Sequence, residues 1–166
     1  MKHRISAIAA IGKNREIGLK GELPWKIPSE YQHYLKITRG HVLIVGRRNY
    51  ELSLSEFKQR TPVVVTRQEN YSSKISYSSS FESALEIAKT ISKKEEIFVI
   101  GGYDIYKLSL SYLDYLYLSF VDYRGEADTY FPDFSHLDLK IVESFTKEKS
   151  DQTPLKWDFT KYKVCR

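Results

Sequence analysis

The sequence predicts one α/β domain: a twisted, mostly parallel mixed β-sheet flanked by helices and ended by a C-terminal antiparallel hairpin. Three observations carry this. Short apolar runs at Ile5–Ile11, Val42–Val45, Val63–Val65 and Ile97–Ile100 each end in Gly, Thr or a polar cluster, as strands buried on both faces of a parallel sheet do. Patterns of helical period lie between those runs. The tail differs in kind. Leu116–Val121, Ile141–Phe145 and the alternating Leu155-Lys156-Trp157-Asp158-Phe159 read as strands, the last two forming a hairpin across the loop from Lys147 to Pro154.

Along the chain, Ile5–Ile11 is the first core strand. Lys2-His3-Arg4 before it superficially imitates a signal peptide. Lys13, Asn14, Arg15 and Glu16 follow at once with no small-residue cleavage pattern, so a cytoplasmic location is expected. Leu23-Pro24-Trp25-Lys26-Ile27-Pro28-Ser29-Glu30 is a loop ending at a helix start, because both prolines fix φ and lack an amide donor. That helix spans about 30–38, with Tyr31, Tyr34, Leu35 and Thr38 on one face and Gln32, Lys36 and Arg39 pointing away. Ser78-Ser79-Ser80 signals a second helix carrying Phe81, Ala84, Leu85, Ala88 and Ile91, and a third runs from about Tyr103 to Leu110. There is no internal repeat, and the Ser-rich stretch 72–80 is too short for a domain linker.

The 166 residues are 42% hydrophobic and 28% charged, an ordinary globular composition. A chain of this length buries roughly 70% of the surface its unfolded form exposes. No apolar run approaches the ~18 residues of a membrane helix. Cys165 is the only cysteine, which excludes an internal disulfide and a thiolate cluster. The histidines at 3, 33, 41 and 136 have no ligand spacing, so no metal is expected. The net charge of +5 fits an anionic small ligand at least as well as a nucleic acid. The cations are dispersed, with Arg47-Arg48 and Lys93-Lys94 the adjacent pairs outside the N-terminus.

Glu30 lies at the edge of the apolar helix face, near Tyr34 and Ile37. A carboxylate held against apolar and aromatic surface has a raised pKa and suits a cationic or amidine-like partner. The alternative is a solvated first-turn acid favoured by the helix dipole. Ile97-Phe98-Val99-Ile100-Gly101-Gly102 is a buried strand running into two glycines and a helix, where bare backbone can approach a phosphate. It is not the three-glycine dinucleotide fingerprint, and no acid follows a strand at the expected distance. His41–Arg48 and Val63–Arg67 repeat the design with Arg47, Arg48 and Arg67 at strand ends, and guanidinium forks match phosphate oxygens. Each arginine alone reads as solvated. Three strand ends together point to a phosphorylated nucleotide across the sheet edge.

These residues resemble dihydrofolate reductase over nearly the full chain. The matching pieces are Ile8-Ala9-Ala10, Ile17-Gly18, Leu23-Pro24-Trp25 with Pro28 and Glu30, Val45-Gly46-Arg47, Val65-Thr66-Arg67, Ile100-Gly101-Gly102 and Asp128-Thr129-Tyr130-Phe131-Pro132, in the family's order and spacing. The resemblance implies reduction of 7,8-dihydrofolate to tetrahydrofolate by NADPH, a supply step of one-carbon metabolism and an antifolate target. It further implies a monomer with a small-molecule substrate and no nucleic-acid or membrane partner. By the same resemblance Glu30 is the pocket acid, Trp25 anchors the water and loop beside it, and Ser119 keeps the hydroxyl that a threonine usually gives to that acid. Tyr31, Tyr34, Phe57 and Ile100 would line the pterin pocket, Ile8 would offer its carbonyl, and Arg60 would pair with the glutamate tail. Ala10, Ile17, Gly18 and Leu19 would meet the nicotinamide end, beneath a mobile loop 14–22 hinged at Gly12, Gly18 and Gly21. Arg47, Thr66 and Arg67 would serve the adenosine 2′-phosphate, with Gly46 also among the cofactor-binding residues. Arg48, Asn49, Gly101, Gly102 and the helix start Tyr103-Asp104-Ile105-Tyr106 would serve the pyrophosphate.

Some positions depart from the family. Leu52-Ser53-Leu54-Ser55-Glu56-Phe57-Lys58-Gln59 lacks the usual prolines at preserved length. Tyr34 stands for phenylalanine, Asn49 for a serine or threonine, and Tyr50 for tryptophan or phenylalanine. Two other readings stand beside this one. A riboflavin-pathway type of reductase shares the fold but would not carry the Pro-Trp…Glu30 element or an arginine like Arg60. A basic RNA-binding module would interleave aromatics with a basic stripe, whereas these tyrosines follow strand and helix faces.

Overall fold

Eight strands form the central sheet in the computed structural model, which describes residues 1–166. Chain order is β1 (Arg4–Ile11), β2 (Glu16–Gly18), α1 (Pro28–Thr38), β3 (Val42–Gly46), α2 (Arg47–Leu52), a 3₁₀ turn (Leu54–Gln59), β4 (Thr61–Val65) and β5 (Ser76–Ser78). Then follow α3 (Phe81–Ile91), β6 (Glu96–Val99), α4 (Tyr103–Ser109), a second 3₁₀ turn (Leu110–Tyr112), β7 (Tyr115–Val121), β8 (Thr129–Tyr130), β9 (Asp138–Lys147) and β10 (Trp157–Cys165). The sheet order is β5-β4-β3-β6-β1-β7-β10-β9, while β2 and β8 form a separate two-stranded ribbon. All neighbours are parallel except β7–β10 and β10–β9, so the mixed sheet and terminal hairpin stand as expected.

The apolar runs become strands because both of their faces are covered. Ile5, Ala7 and Ile11 of β1 face α3 and α4 in the larger core, with Phe81, Ala84, Ile105 and Tyr106. Ile8 faces the opposite side with Trp25, Ile27, Leu43, Phe98, Tyr117, Trp157 and Phe159. Thus α1 covers one face, α3 and α4 the other, and the connections leaving neighbouring β1 and β6 part between them. Such a parting opens a crevice at the carboxyl ends of the strands.

Several boundaries differ from the sequence reading. β10 runs on to Cys165 and β9 from Asp138, because in this pair Lys161 and Lys163 can point to solvent while Thr160 and Val164 are buried. Arg47–Leu52 forms an unforeseen helix, and the 3₁₀ turn follows it. The buried face of α1 is also rotated. Glu30 and Thr38 are its buried residues, Tyr34 and Ile37 are half-buried, and Tyr31 is exposed. The acid therefore sits at the centre of the inward face rather than at its edge, roughly a quarter turn from the apolar stripe the spacing indicated. The reason lies in the sheet below, which offers a hydroxyl to Glu30 and aromatic rings to His33, at 4.4 Å from Phe159 and 5.2 Å from Phe145.

Candidate functional site

Glu30 stands in the first turn of α1, after Pro28 at the helix start. That start is tied down from three sides. Ser29 N–H donates to the Gln152 carbonyl at 3.0 Å, Ser29 Oγ and Thr153 Oγ1 share a 2.7 Å hydrogen bond, and Trp157 Nε1 donates to Ser29 Oγ at 3.0 Å. These anchors come from the hairpin loop and β10, and nothing in the local sequence announces them.

The Glu30 carboxyl faces β7. Ser119 Oγ donates to Glu30 Oε2 at 3.0 Å, and Ser119 is level with Ala10 of β1 and Phe159 of β10. Burial pushes the acid up to about pH 7, against the opposing pull of the Ser119 hydrogen bond. A solvated first-turn acid is thereby ruled out. Trp25 is buried beside it, its ring 5.3 Å from Tyr123, and its Nε1 has no partner within the chain. A buried indole N–H normally finds an acceptor, and this one has none within the chain.

The raised pKa carries a stability consequence. Below about pH 4.5, Glu30 is protonated in both folded and unfolded chains. As pH rises through 7 the unfolded chain has ionised first, and the folded chain loses roughly 3 kcal/mol against it. Glu30→Gln should therefore stabilise the protein much more at pH 8 than at pH 4.5. Urea unfolding of both forms at both pH values checks this; equal differences at the two pH values would contradict the burial.

The remaining substrate-side positions are brought together. Ile8 lies under Tyr106, whose hydroxyl donates to the Ile8 carbonyl at 2.8 Å; the carbonyl keeps a second lone pair. Tyr34, Phe57 and Ile100 pack on the smaller core around Ile8 and Trp25. Tyr31, though exposed, stacks on Tyr34 with ring centroids 6.2 Å apart. Arg60 is pinned between α1 and the 3₁₀ turn. Its Nε donates to Thr38 Oγ1 at 2.8 Å, Nη1 to the Glu56 carbonyl at 3.1 Å, and Nη2 to the Leu35 carbonyl. Three of a guanidinium's five N–H donors are thus used, and two remain.

Across the sheet end lies the second half of the crevice. Gly46 pairs with Val65 in register, which sets Arg47 beside Thr66 and Arg67 on adjacent strand ends. Arg67, Arg48 and Asn49 are exposed, and Thr66 is buried with its Oγ1 accepting from Gln68 N–H at 3.1 Å. Arg47 pairs with Glu51 at 2.9 Å, and Glu51 also accepts from Tyr71 Oη at 2.8 Å. The Gly101–Gly102 peptide is cis, and Gly101 has φ +103°. A Cβ at Gly101 would lie 2.7 Å from a Tyr106 ring carbon and 3.3 Å from Asn49 Nδ2, so only bare backbone fits there. Gly46 N–H donates to the Gly101 carbonyl at 2.8 Å, joining the two glycine turns. At the start of α4 Tyr103 and Asp104 are exposed, whereas the Ile105 and Tyr106 side chains are buried, so the latter two present only backbone outward.

The 14–22 segment is not a plain loop. It contains β2, and the Asp128 N–H donates to Gly18 O at 2.9 Å while Lys20 N–H donates to Asp128 Oδ2 at 2.8 Å. Glu16 is fully buried and accepts from Asn14 N–H at 2.6 Å and Gly125 N–H at 3.1 Å. A Cβ at Gly12 would meet Glu16 Oε1 at 2.5 Å, so this glycine makes room for that carboxylate. Ile17, Gly18 and Leu19, with Ala10 of β1, are half-buried; Ile17 packs on the larger core and Ala10 on the smaller.

The profile of the dihydrofolate reductase family matches residues 4–164. The dihydrofolate reductase of Bacillus subtilis (strain 168) is 33% identical over 158 residues, covering 95% of this chain and 93% of that one. That of Staphylococcus haemolyticus is 30% identical over 164 residues, covering 98% and 97%. Among solved structures, dihydrofolate reductase from Enterococcus faecalis complexed with NADP(H) and RAB-propyl superposes with a TM-score of 0.85 at 25% identity, over 98% of this chain and 97% of that one. No helix here is long and apolar enough to cross a membrane.

Proposed function

The chain belongs to the dihydrofolate reductase family and reduces 7,8-dihydrofolate to tetrahydrofolate with NADPH; from that premise we propose that Glu30, positioned by Ser119 beside Trp25, is the acid that binds and helps protonate the pterin. The observation carrying this is a buried carboxyl with one oxygen taken by Ser119 and a pKa near 7. Its free acceptor sites suit an amidine-like N–H pair. Hydrogen bonds of that kind strengthen as the ring gains a proton, which is selective stabilisation of the transition state. Tyr34, Phe57 and Ile100 form the sides that exclude water, with Tyr31 at the rim, and Ile8 offers its carbonyl.

The residues across the sheet end fit NADPH on their own geometry. Gly101 has no room for a Cβ against Tyr106 and Asn49, which leaves bare backbone at that turn, and Arg47, Thr66 and Arg67 stand at neighbouring strand ends. The cofactor, when bound, supplies the hydride; the protein's part is to align two rings and keep water out. Arg48, Asn49 and the backbone of Gly102 through Tyr106 are assigned to the pyrophosphate, Gly46 to close approach, and Ala10, Ile17, Gly18 and Leu19 to the nicotinamide end. A monomer in the cytoplasm, free of nucleic acid, completes the proposal. Following NADPH absorbance with dihydrofolate tests it, and absence of turnover would refute it.

Arg60 is assigned to the α-carboxylate of the folate tail, because two of its N–H donors remain after its three internal bonds. A bidentate pair at a partly exposed mouth contributes on the order of 1–3 kcal/mol. Arg60→Leu should therefore raise KM for dihydrofolate roughly 5- to 100-fold, with a smaller change in hydride transfer. Dihydropteroate, which lacks the glutamate, should be handled almost equally by both forms. A parallel loss on both substrates would show that Arg60 only holds α1 against the 3₁₀ turn.

A further inference from the structure

One buried acid is used by neither half of the crevice. Glu16, at the start of β2, is 1% exposed, and none of the four ion pairs includes it. Its carboxylate instead takes one backbone N–H on each oxygen. Asn14 donates to Oε1 at 2.6 Å, and Gly125, 109 residues further along, donates to Oε2 at 3.1 Å. Both donors belong to exposed residues, so the acid lies beneath two separate turns and draws them together. A carboxylate out of water needs such partners. The turn before Glu16 is shaped around it. Arg15 takes φ +63°, Gly12 N–H donates to the Glu16 carbonyl at 2.9 Å, and a Cβ at Gly12 would stand 2.5 Å from Oε1. Lys13 N–H donates to the Tyr123 carbonyl at 2.8 Å, a backbone bond between the same two turns.

We propose that Glu16 is a positioning residue for hydride transfer, its carboxylate fastening the 14–22 segment to the turn at 123–125 so that Ile17–Leu19 stay fixed at the nicotinamide end. The proposal rests on the assignment of Ile17, Gly18 and Leu19 to that end. Ile17 follows Glu16 directly, so movement of the unfastened turn reaches the assigned residues at once. A misplacement of about 1 Å between reacting groups costs as much as 100-fold in rate.

The test compares the unsubstituted enzyme with Glu16→Gln and Glu16→Leu. Glutamine turns one oxygen into an NH₂ that meets an N–H donor, so one contact is lost; leucine fills similar space with no acceptor. In both variants amide hydrogen exchange at Asn14 and Gly125 should accelerate. The single-turnover rate of hydride transfer should fall about 10- to 100-fold, while KM for dihydrofolate stays within about threefold. NADPH should bind roughly 3- to 10-fold more weakly, with no change for 2′,5′-ADP, which lacks the nicotinamide. Faster exchange at the two amides with an unchanged rate of hydride transfer overturns the proposal, since Glu16 would then serve the fold alone. Equal losses for NADPH and 2′,5′-ADP overturn it too, as a general loosening of the molecule. Failure of the underlying assignment reads differently: Leu19→Ala, with Glu16 intact, would leave the ratio of NADPH to 2′,5′-ADP affinity where it was.

Discussion

Glu30→Gln is expected to lower turnover about 100- to 1,000-fold at pH 7, within the range for loss of a positioned proton-transfer group, while NADPH affinity stays within about threefold. The carboxyl is buried, bonded to Ser119 at 3.0 Å and raised to about pH 7. It therefore changes protonation state within the working range, and glutamine cannot. In the unsubstituted enzyme the rate of hydride transfer should fall as pH rises through about 7, because the form able to place a proton on the ring is titrated away. In the variant that inflection should disappear, and the deficit should narrow as pH falls, when solvent protons replace the assisted step. Single-turnover rates between pH 5 and 9 separate the two shapes. Wild-type turnover across that range would remove Glu30 from the chemistry altogether.

How far the sequence led to this site depends on what each signal measured. The strands β1, β3, β4, β6 and β7 were legible because burial on both faces forces continuous apolar runs, which little else in a globular chain requires. β2, β5 and β8 are two or three residues long, too short for any period. The rotation of α1 was hidden for a different reason. Apolar spacing located Tyr31 and Leu35 on the stripe, but the inward position belongs to Glu30, and the hydroxyl that makes this tolerable, Ser119, lies 89 residues away. A buried polar pair is invisible to a hydrophobic pattern by construction. The glycines fared better. Gly101 needs φ +103° and has no room for a Cβ, and such demands leave the same mark in the sequence wherever the chain folds.

The cofactor half yields the other large effect. Arg47→Ala together with Arg67→Ala should weaken NADPH binding by about 100-fold or more, while NADH binding changes less than about threefold. The argument begins from register: Gly46 opposite Val65 places the two arginines at adjacent strand ends, with the Thr66 hydroxyl between them in sequence. Hydrogen bonds to a charged group contribute about 1.5–3 kcal/mol each, and solvent exposure at both arginines sets the expectation toward the lower end. Arg47 is the more pre-organised of the two. Its ion pair with Glu51, itself held by Tyr71, restrains the side chain before any phosphate arrives. That pairing also predicts an asymmetry. Glu51→Gln leaves Arg47 with a weaker restraint but removes a competing negative charge next to the phosphate, so its effect on NADPH should be small beside that of Arg47→Ala. The discriminating measurement is the pair of dissociation constants, for NADPH and for NADH, in each variant at fixed ionic strength. Loss of affinity for NADPH alone assigns the two arginines to the 2′-phosphate. Equal losses for both cofactors would place them on the pyrophosphate they share, and the selection of NADPH over NADH would then fall to Thr66 and the backbone beside it.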